Sequence, residues 1–537
     1  MRFLPVNLSA FMIELHSLEE TMALTHLLRN RAHKLAIEEI TPAARTVLVR
    51  FNSMLTNIDK LIDQIGRLDI SATELKSGPL VTIPVHYNGE DLADVAEHLG
   101  TSIEDVIRRH TENEYQVAFC GFAPGFAYMV AKNAQLNVPR RPSPRIRIPA
   151  GSVALAGEFS SVYPQASPGG WQLIGVTETA VWDLYREEPA LLKPGYRVNF
   201  VDAARAETTY SLPQPTHHHK SHEKMVLSDD LTVLATGLQT LVQDYGRMGL
   251  SALGISESGA MDKGALRSAN RLVGNDIHEA ALEITQGGFK AQANRPLLVG
   301  VTGASCDVEI TTAEGIHYFA QQYQPIQLAK GDIIHLGTAT KGVRSYLAIR
   351  GGIEMTPILG SCSFDTLAQV GPAPLKAGQR LAVKSLKQQT VISLNELPVL
   401  NYPSAHEIVV LDIVLGPRTD WFTQQAVRLL TSQLWQVTAA SNRIGLRLAG
   451  DKGIERAKHQ ELPSEGTCVG AIQIPANGQP VLFLNDHPLT GGYPVIGAVC
   501  EYHLDLAGQI PVNAKIQFNP IKVFNEFEGS RDTYAYN

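Results

Sequence analysis

Short runs of alternating apolar and polar residues, punctuated by Gly and Pro, recur along the chain, and a few stretches change to helical spacing. Ser17 and Glu20 form a capping box ahead of Leu18, Met22, Leu24, Leu27 and Leu28, which predicts a helix. TVLVRF (46–51) is a compact strand-type run. Ile58, Leu61, Ile62 and Ile65 mark a second helix ending near Gly66, and LVTIPV (80–85) reads as a further strand. Residues 1–80 are thus expected to form a small α+β subdomain. DLADVAEHLG and TSIEDVIRRHT (91–111) predict a helical pair, the second capped by Thr101 with Glu104. Four phrases then share one form, a turn feeding a short alternating strand: KPGYRVNF (193–200), AKGDIIHL (329–336), KAGQRLAV (376–383) and, more loosely, VNAKIQF (512–518). Repeated turn-plus-strand units favour β-barrels over a doubly wound sheet. A helix with Leu266, Ala269 and Val273 on one face follows a cap at Ser258 or Asp262 and stops at Gly274-Asn275.

Length adds that 537 residues exceed one hydrophobic core, so two to four domains are expected. Residues 203–224 are polar, Pro-bearing and aperiodic, and read as a linker between the halves. A 44% hydrophobic, 18% charged composition is ordinary for a globular protein, and the net charge of −7 argues against a nucleic-acid surface. Five scattered cysteines without a CxxC give neither a disulfide framework nor a zinc site. With no signal-peptide core and no run of about 18 apolar residues, no membrane association is expected, and the location expected is the cytoplasm.

Candidate chemistry centres on FCGFAPGFAYM (119–129), an uncharged turn rich in aromatics, and on RRPSPRIRI (140–148), where prolines pace four arginines. One reading makes the turn the floor of a pocket and the arginines an anion clamp. The other makes them a buried loop beside a solvated basic turn. In the second half, Gln243, Asp244, Tyr245 and Arg247 crowd Gly246. The start of the helix after Asp262 offers free N–H groups to an anion. Glu465, Gln473, Asn485, Asp486, His487 and Thr490 lie in Gly/Pro-rich turns, where binding groups commonly sit. His217, His218, His219 and His222 lack an accompanying carboxylate or cysteine set, so no metal site is expected. GxxxxGK[ST] does not occur, so any ATP site is not of the P-loop type.

CGFAPGFAYM, PRRPSPRIRIPAGSVALAG and SPGGWQLIG make the first half resemble allophanate hydrolase subunit 1, the family of the 5-oxoprolinase B subunit and KipI. TLVQDYGRMGLSALGISESGAMD, SNRIGLRL, SEGTCVGAIQIPANGQP and TGGYPVIG make the second half resemble allophanate hydrolase subunit 2, the family of the 5-oxoprolinase C subunit and KipA. The resemblance implies a mainly β protein with α+β parts. Cyclophilin-like barrels are expected at 81–202 and 225–525, followed by a tail at 526–537. It also implies kinship with the carboxyltransferase part of urea carboxylase. As implied activity, the fused B and C component would open the lactam of 5-oxoproline to glutamate, using ATP with Mg2+ and a separate A-type subunit. No biotin-attachment Met-Lys-Met is present. Motif membership and chemistry together nominate Arg140, Arg141, Arg145, Arg247 and Arg443 as the anion clamp. They nominate Asp244, Asp262 and Glu465 for acid/base work, with Tyr128 and Gln473 orienting substrate. Gly121, Gly125, Gly259, Gly491 and Gly492 would shape backbone loops around the site. The rival expectations are a carboxyltransferase-like component working with a biotin carrier, and a KipI-like regulatory binding protein. A homo-oligomer is compatible with each.

Overall fold

Ser17 is extended, and its hydroxyl accepts from Glu20 N at 3.2 Å, starting α1 (Leu18–Arg31); Glu20 in turn accepts from His16 N at 3.1 Å. This local chemistry, read correctly from the capping box, opens a computed structural model that describes residues 1–71, 78–131, 133–205, 229–385 and 390–527. The expected linker falls largely outside the described residues, with His217, His218, His219 and His222, and so does the tail beyond Phe527. The first unit is an antiparallel sheet of β1 (Arg2–Pro5), β2 (Ala10–Glu14), β3 (Ile37–Pro42) and β4 (Thr46–Phe51), in the order β1-β2-β4-β3. α1 and α2 (Ile58–Gly66) bury Leu24, Leu28, Leu61 and Ile65 against Phe11, Val47 and Val49.

LVTIPV does not complete this layer. As β5 (Leu80–Val85) it runs parallel to the GYRVNF strand, Arg197–Asp202, at the edge of a seven-stranded sheet. α3 (Leu92–His98) and α4 (Ile103–Thr111) pack on that sheet. The cap of α4 is Ser102, whose hydroxyl accepts from Asp105 N at 3.2 Å; the expected cap, Thr101, instead donates to the Asp105 carboxylate at 2.6 Å.

In the second half the span 225–525 holds two bodies rather than one barrel. A six-stranded and a five-stranded sheet, built from strands between Leu231 and Leu381, share one core. Beyond them, seven strands between Ile408 and Lys522 close into a barrel around Leu411, Ile413, Trp435, Ile472, Leu482 and Phe518. Each of the four recurrent phrases does feed a strand: Arg197–Asp202, Ile333–Leu336, Arg380–Leu381 and Lys515–Lys522. α5 (Lys263–Val273) lies against the five-stranded sheet.

The halves meet along a backbone seam. Gly125 N donates to Leu253 O at 2.9 Å and Ala44 N to Ser464 O at 3.1 Å. Glu465–Gly466 pairs with Thr490–Gly491 and lies on β4, where a side chain at 466 would meet Leu48 Cβ at 2.8 Å. This strap divides the seam into two cavities.

Candidate functional site

The cavity on the Thr467–Val469 side of the strap measures about 300 Å3. β3 and β4 supply Glu39, Thr41 and Arg50; the SESGAMDK loop supplies Glu257, Ser258, Met261 and Lys263; the barrel loops supply Thr467, Cys468, Asn485 and His487. Apolar Leu48, Ile255, Val469, Leu489 and Leu504 complete the walls, with Glu501 and Asp505 at their edge. Ser258 holds a left-handed backbone at φ 54° and Gly259 follows at φ 88°. A side chain at 259 would stand 2.7 Å from the Tyr245 backbone, so glycine is required for that close approach. Strained non-Gly backbone persists only where its surroundings enforce it, and such positions cluster at ligand sites.

A buried charge network does the enforcing. Ser258 Oγ donates to Asp486 Oδ1 at 2.7 Å, and Thr366 donates to Asp486 Oδ2 from its N–H at 2.9 Å and its hydroxyl at 2.7 Å. Arg443 grips the same carboxylate with Nε at 2.9 Å and Nη2 at 3.0 Å, and also bonds Glu283. Burial alone would depress the Arg443 pKa, but the charges of Asp486 and Glu283 outweigh it and hold the guanidinium protonated. Glu283 accepts from Met261 N at 3.0 Å and from Tyr346 OH at 2.7 Å, tying the loop to the sheet.

Most nominated residues serve this framework or the seam. Arg141 and Arg145 both bind Asp91, a buried carboxylate that also accepts from Leu173 N at 2.7 Å. Arg140 donates to Ser464 Oγ at 3.0 Å and pairs with Glu461 at 3.2 Å. Arg247 is buried and donates to Ser363 O, leaving Nε and Nη1 without a partner among the described residues; burial lowers its pKa, and the charges of Asp365 and Asp244 offset this in part. None of the five arginines lines the cleft, so the anion clamp expected of them is not formed there. Asp244 closes a turn by accepting from Gly246 N at 2.8 Å and Cys362 N at 2.6 Å. Glu465 is salt-bridged to Arg418, and burial holds its pKa above the usual value against that pairing. Asp262 caps α5 through Ala265 N at 2.8 Å; burial and the nearby charge of Asp505 push its pKa up to about 7. Asp505 itself accepts from Lys263 N at 3.1 Å and Gly264 N at 2.9 Å. The expected anion site at this helix start is thus filled by the chain's own carboxylates. The carboxylate oxygens of all three acids are hydrogen-bonded within the fold, and none of the three lines the cleft.

Tyr128 stacks on Phe119 with centroids 4.3 Å apart, and its hydroxyl lies 3.4 Å from Thr490 Oγ1. Gln473 donates to Tyr493 O at 3.2 Å. A side chain at Gly121 would come within 2.6 Å of Thr490, and one at Gly491 within 2.6 Å of Gln473. Gly125 gives the φ of 74° that its bond across the seam requires. Gly492 lies under the Arg140 guanidinium. The FCGFAPGFAYM turn is therefore a docking element between the halves rather than a pocket floor. Sequence reasoning passed over Lys263, though it directly follows the quoted Met261-Asp262. It also passed over Glu39 and Arg50, strand residues that carry no local signal.

Chemically, the cleft offers one unpaired cation. Arg50 is bound by Glu257 and by Glu38 at 2.9 Å, whereas Lys263 Nζ sits 5.7 Å from the Tyr245 ring centroid with no carboxylate partner among the described residues. Asn485 donates to Ala260 O at 2.9 Å, and its amide oxygen accepts no bond among the described residues.

Residues 1–192 match the carboxyltransferase domain, subdomain C and D, and residues 253–520 match the carboxyltransferase domain, subdomain A and B. The chain is 33% identical to the 5-oxoprolinase C subunit of Escherichia coli K12 over 309 residues, 57% of this chain and 96% of that relative. It is 50% identical to the 5-oxoprolinase B subunit of Escherichia coli O157:H7 over 124 residues, 22% of this chain and 57% of that relative. Urea amidolyase of Saccharomyces cerevisiae is 31% identical over 319 residues, 56% of this chain but 17% of that enzyme. The crystal structure of TTHA0988 superposes over 95% of this chain and 99% of its own, with a TM-score of 0.81 and 32% identity. The chain therefore belongs to the carboxyltransferase-domain family, as a fusion of a half similar to the 5-oxoprolinase B subunit with a half similar to the 5-oxoprolinase C subunit.

Proposed function

We propose that the chain is the fused B and C component of an ATP-dependent 5-oxoprolinase, working with a separate A-type subunit to open 5-oxoproline to glutamate. Lys263 carries the choice between the two relatives' chemistries. Urea is uncharged, whereas 5-oxoproline presents a carboxylate that complements a free ammonium in a largely apolar cleft. In this reading Lys263 pairs with that carboxylate and the Asn485 amide oxygen accepts the lactam N–H. Glu257, one oxygen of which is held by Arg50, keeps its other oxygen to take a proton from the attacking water.

The lining does not fit a triphosphate. It sets two cations, Arg50 and Lys263, against four acids, Glu39, Glu257, Glu501 and Asp505, and its volume is at the low end of the roughly 300–1,000 Å3 of ligand pockets. We therefore assign nucleotide and Mg2+ to the surface completed by the A-type subunit, and the lactam to this chain.

The test is glutamate release by the purified protein mixed with an A-type subunit and ATP, against each component alone. Glutamate is expected only from the mixture. Lys263→Met is expected to raise the KM for 5-oxoproline about tenfold or more, the value of one charge-assisted bond. Carboxyl transfer to urea from an already carboxylated biotin carrier, without glutamate release from 5-oxoproline, would replace this reading with a urea-carboxylase-like one.

A further inference from the structure

His487 lines the cleft with 5% of its surface exposed, and both of its ring nitrogens aim at carbonyl oxygens. Nδ1 stands 3.1 Å from Leu484 O, which also takes the His487 main-chain N–H at 3.1 Å, and Nε2 stands 3.3 Å from Thr467 O. A carbonyl oxygen only accepts, and a neutral imidazole has a single N–H to give. Whichever tautomer is present, one nitrogen turns its lone pair on a carbonyl, and only the imidazolium donates to both. His110 shows the contrast. It is fully buried, but its nitrogens meet Tyr87 OH at 2.7 Å and Ser160 Oγ at 2.9 Å, hydroxyls that donate or accept, so a neutral ring is satisfied there.

The surroundings of His487 pull in opposite directions. Burial holds its pKa below the usual value, against Thr467 O, the charge of Glu257, Leu484 O and the charge of Asp486. Glu257 faces it from the loop before α5 and is paired with Arg50; Asp486, next to it in its own loop, is paired with Arg443. On the strap, Cys468 stays neutral, its thiol pushed up to about 12 by burial. Phe483 packs beside the ring, with centroids 6.0 Å apart. The cleft sets four acids against Arg50 and Lys263, so an arriving carboxylate adds negative charge and draws a proton to whichever group holds it best. A proton on Glu257 would disable the group assigned to the attacking water. On His487 it completes two hydrogen bonds instead.

We propose that His487 is a positioning residue that takes up a proton from solvent when a carboxylate substrate enters the cleft, and returns it on release. The imidazolium ties Thr467, on the strap, to Leu484, whose neighbour Asn485 lines the cleft. It acts by its charge and by holding these two walls, with its nitrogens turned to the backbone rather than to the ligand. This role rests on the assignment of 5-oxoproline to the cleft.

Calorimetric titration of the full chain with 5-oxoproline, in phosphate and in Tris at one pH, reads the proton uptake, because the buffer that supplies the proton adds its own heat. Near pH 7 an uptake of about half a proton or more is expected. Affinity should fall as pH rises, by up to about tenfold for each unit by which the ligand raises the imidazole pKa. 5-Oxoprolinamide, which lacks the charge, should show no uptake. His487→Gln should abolish both the uptake and the pH dependence, whereas Glu257→Gln should retain uptake. Nitrogen NMR of histidine-labelled wild-type protein gives a second readout. On addition of 5-oxoproline one ring should pass from one bare nitrogen to two protonated ones, and its signals should be missing from His487→Gln. A merely structural histidine would change stability without moving either signal. Binding without uptake, or uptake that survives His487→Gln, overturns the proposal while leaving the lactam in the cleft. No binding of 5-oxoproline overturns it together with the assignment of the lactam to this chain. Proton uptake without glutamate release in the presence of the A-type subunit sinks the 5-oxoprolinase reading alone.

Discussion

Arg145 shows how one side chain's partners decide its role. Its sequence context, a proline-paced arginine run, is that of an anion clamp, yet its guanidinium spends its bonds on Asp91 at 2.7 and 2.9 Å. Replacing Arg145 with Ala is expected to destabilise the fold by about 1–3 kcal/mol, the range for a charge-assisted hydrogen bond, while ligand affinity stays within twofold or so. Arg141 and Leu173 N remain to hold the carboxylate, which limits the loss. Thermal melting and titration of the same variant check both halves of this expectation. Asp262 carries a pH signature. Its folded pKa, up to about 7, lies above the roughly 3.9 of an unfolded aspartate, so the folded state binds the extra proton. The stability linked to it is full below the unfolded value and lost as pH rises through about 7. Asp262→Asn, which keeps a good helix cap, is expected to flatten that decline between pH 4 and 7 or so, as read from urea midpoints across the range. An unchanged pH slope in the variant would show that another group carries it.

At the level of elements, the loops legible as motifs turn out to be joints. FCGFAPGFAYM was visible as an unusual apolar turn, but nothing local tells that its partner is the Ser251–Leu253 turn 125 or so residues further on, since docking is a property of the folded surface. Gly254 lies at that joint with φ 78°, and a side chain there would collide with Ala123 O. Gly254→Ala therefore combines left-handed strain with a backbone clash. It is expected to lower stability by about 1–3 kcal/mol and to open the seam before the barrel core. Hydrogen exchange checks this: protection should fall at Gly125 N, which donates across the joint, before it falls at barrel strands such as Val495–Val499. The helix after Ser17 was legible because its cap satisfies an N–H group only three residues away, whereas the cap of α4 lies at Ser102, one residue beyond the expected Thr101. LVTIPV was assigned to the wrong layer because β propensity marks a strand without naming its neighbour.

Across the whole molecule, two domain matches in one chain reproduce the pairing of subunits that the relatives carry as separate proteins. The strap at Glu465–Gly466 leaves a cavity on either side. By itself the sequence determined the mainly β architecture, the capped helices and the family, because turn chemistry, period-two alternation and long motifs are written in contiguous residues. Tertiary structure alone decided which charges are free. Arg140, Arg141, Arg145 and Arg443 lose their availability to Glu461, Asp91 and Asp486, partners that lie 43 or more residues away in the chain. Lys263 keeps its own, because no carboxylate among the described residues pairs with it. A charge advertises itself in sequence, but its pairing is a three-dimensional fact, and the pairing separates the residues that can meet a ligand from those that hold the fold.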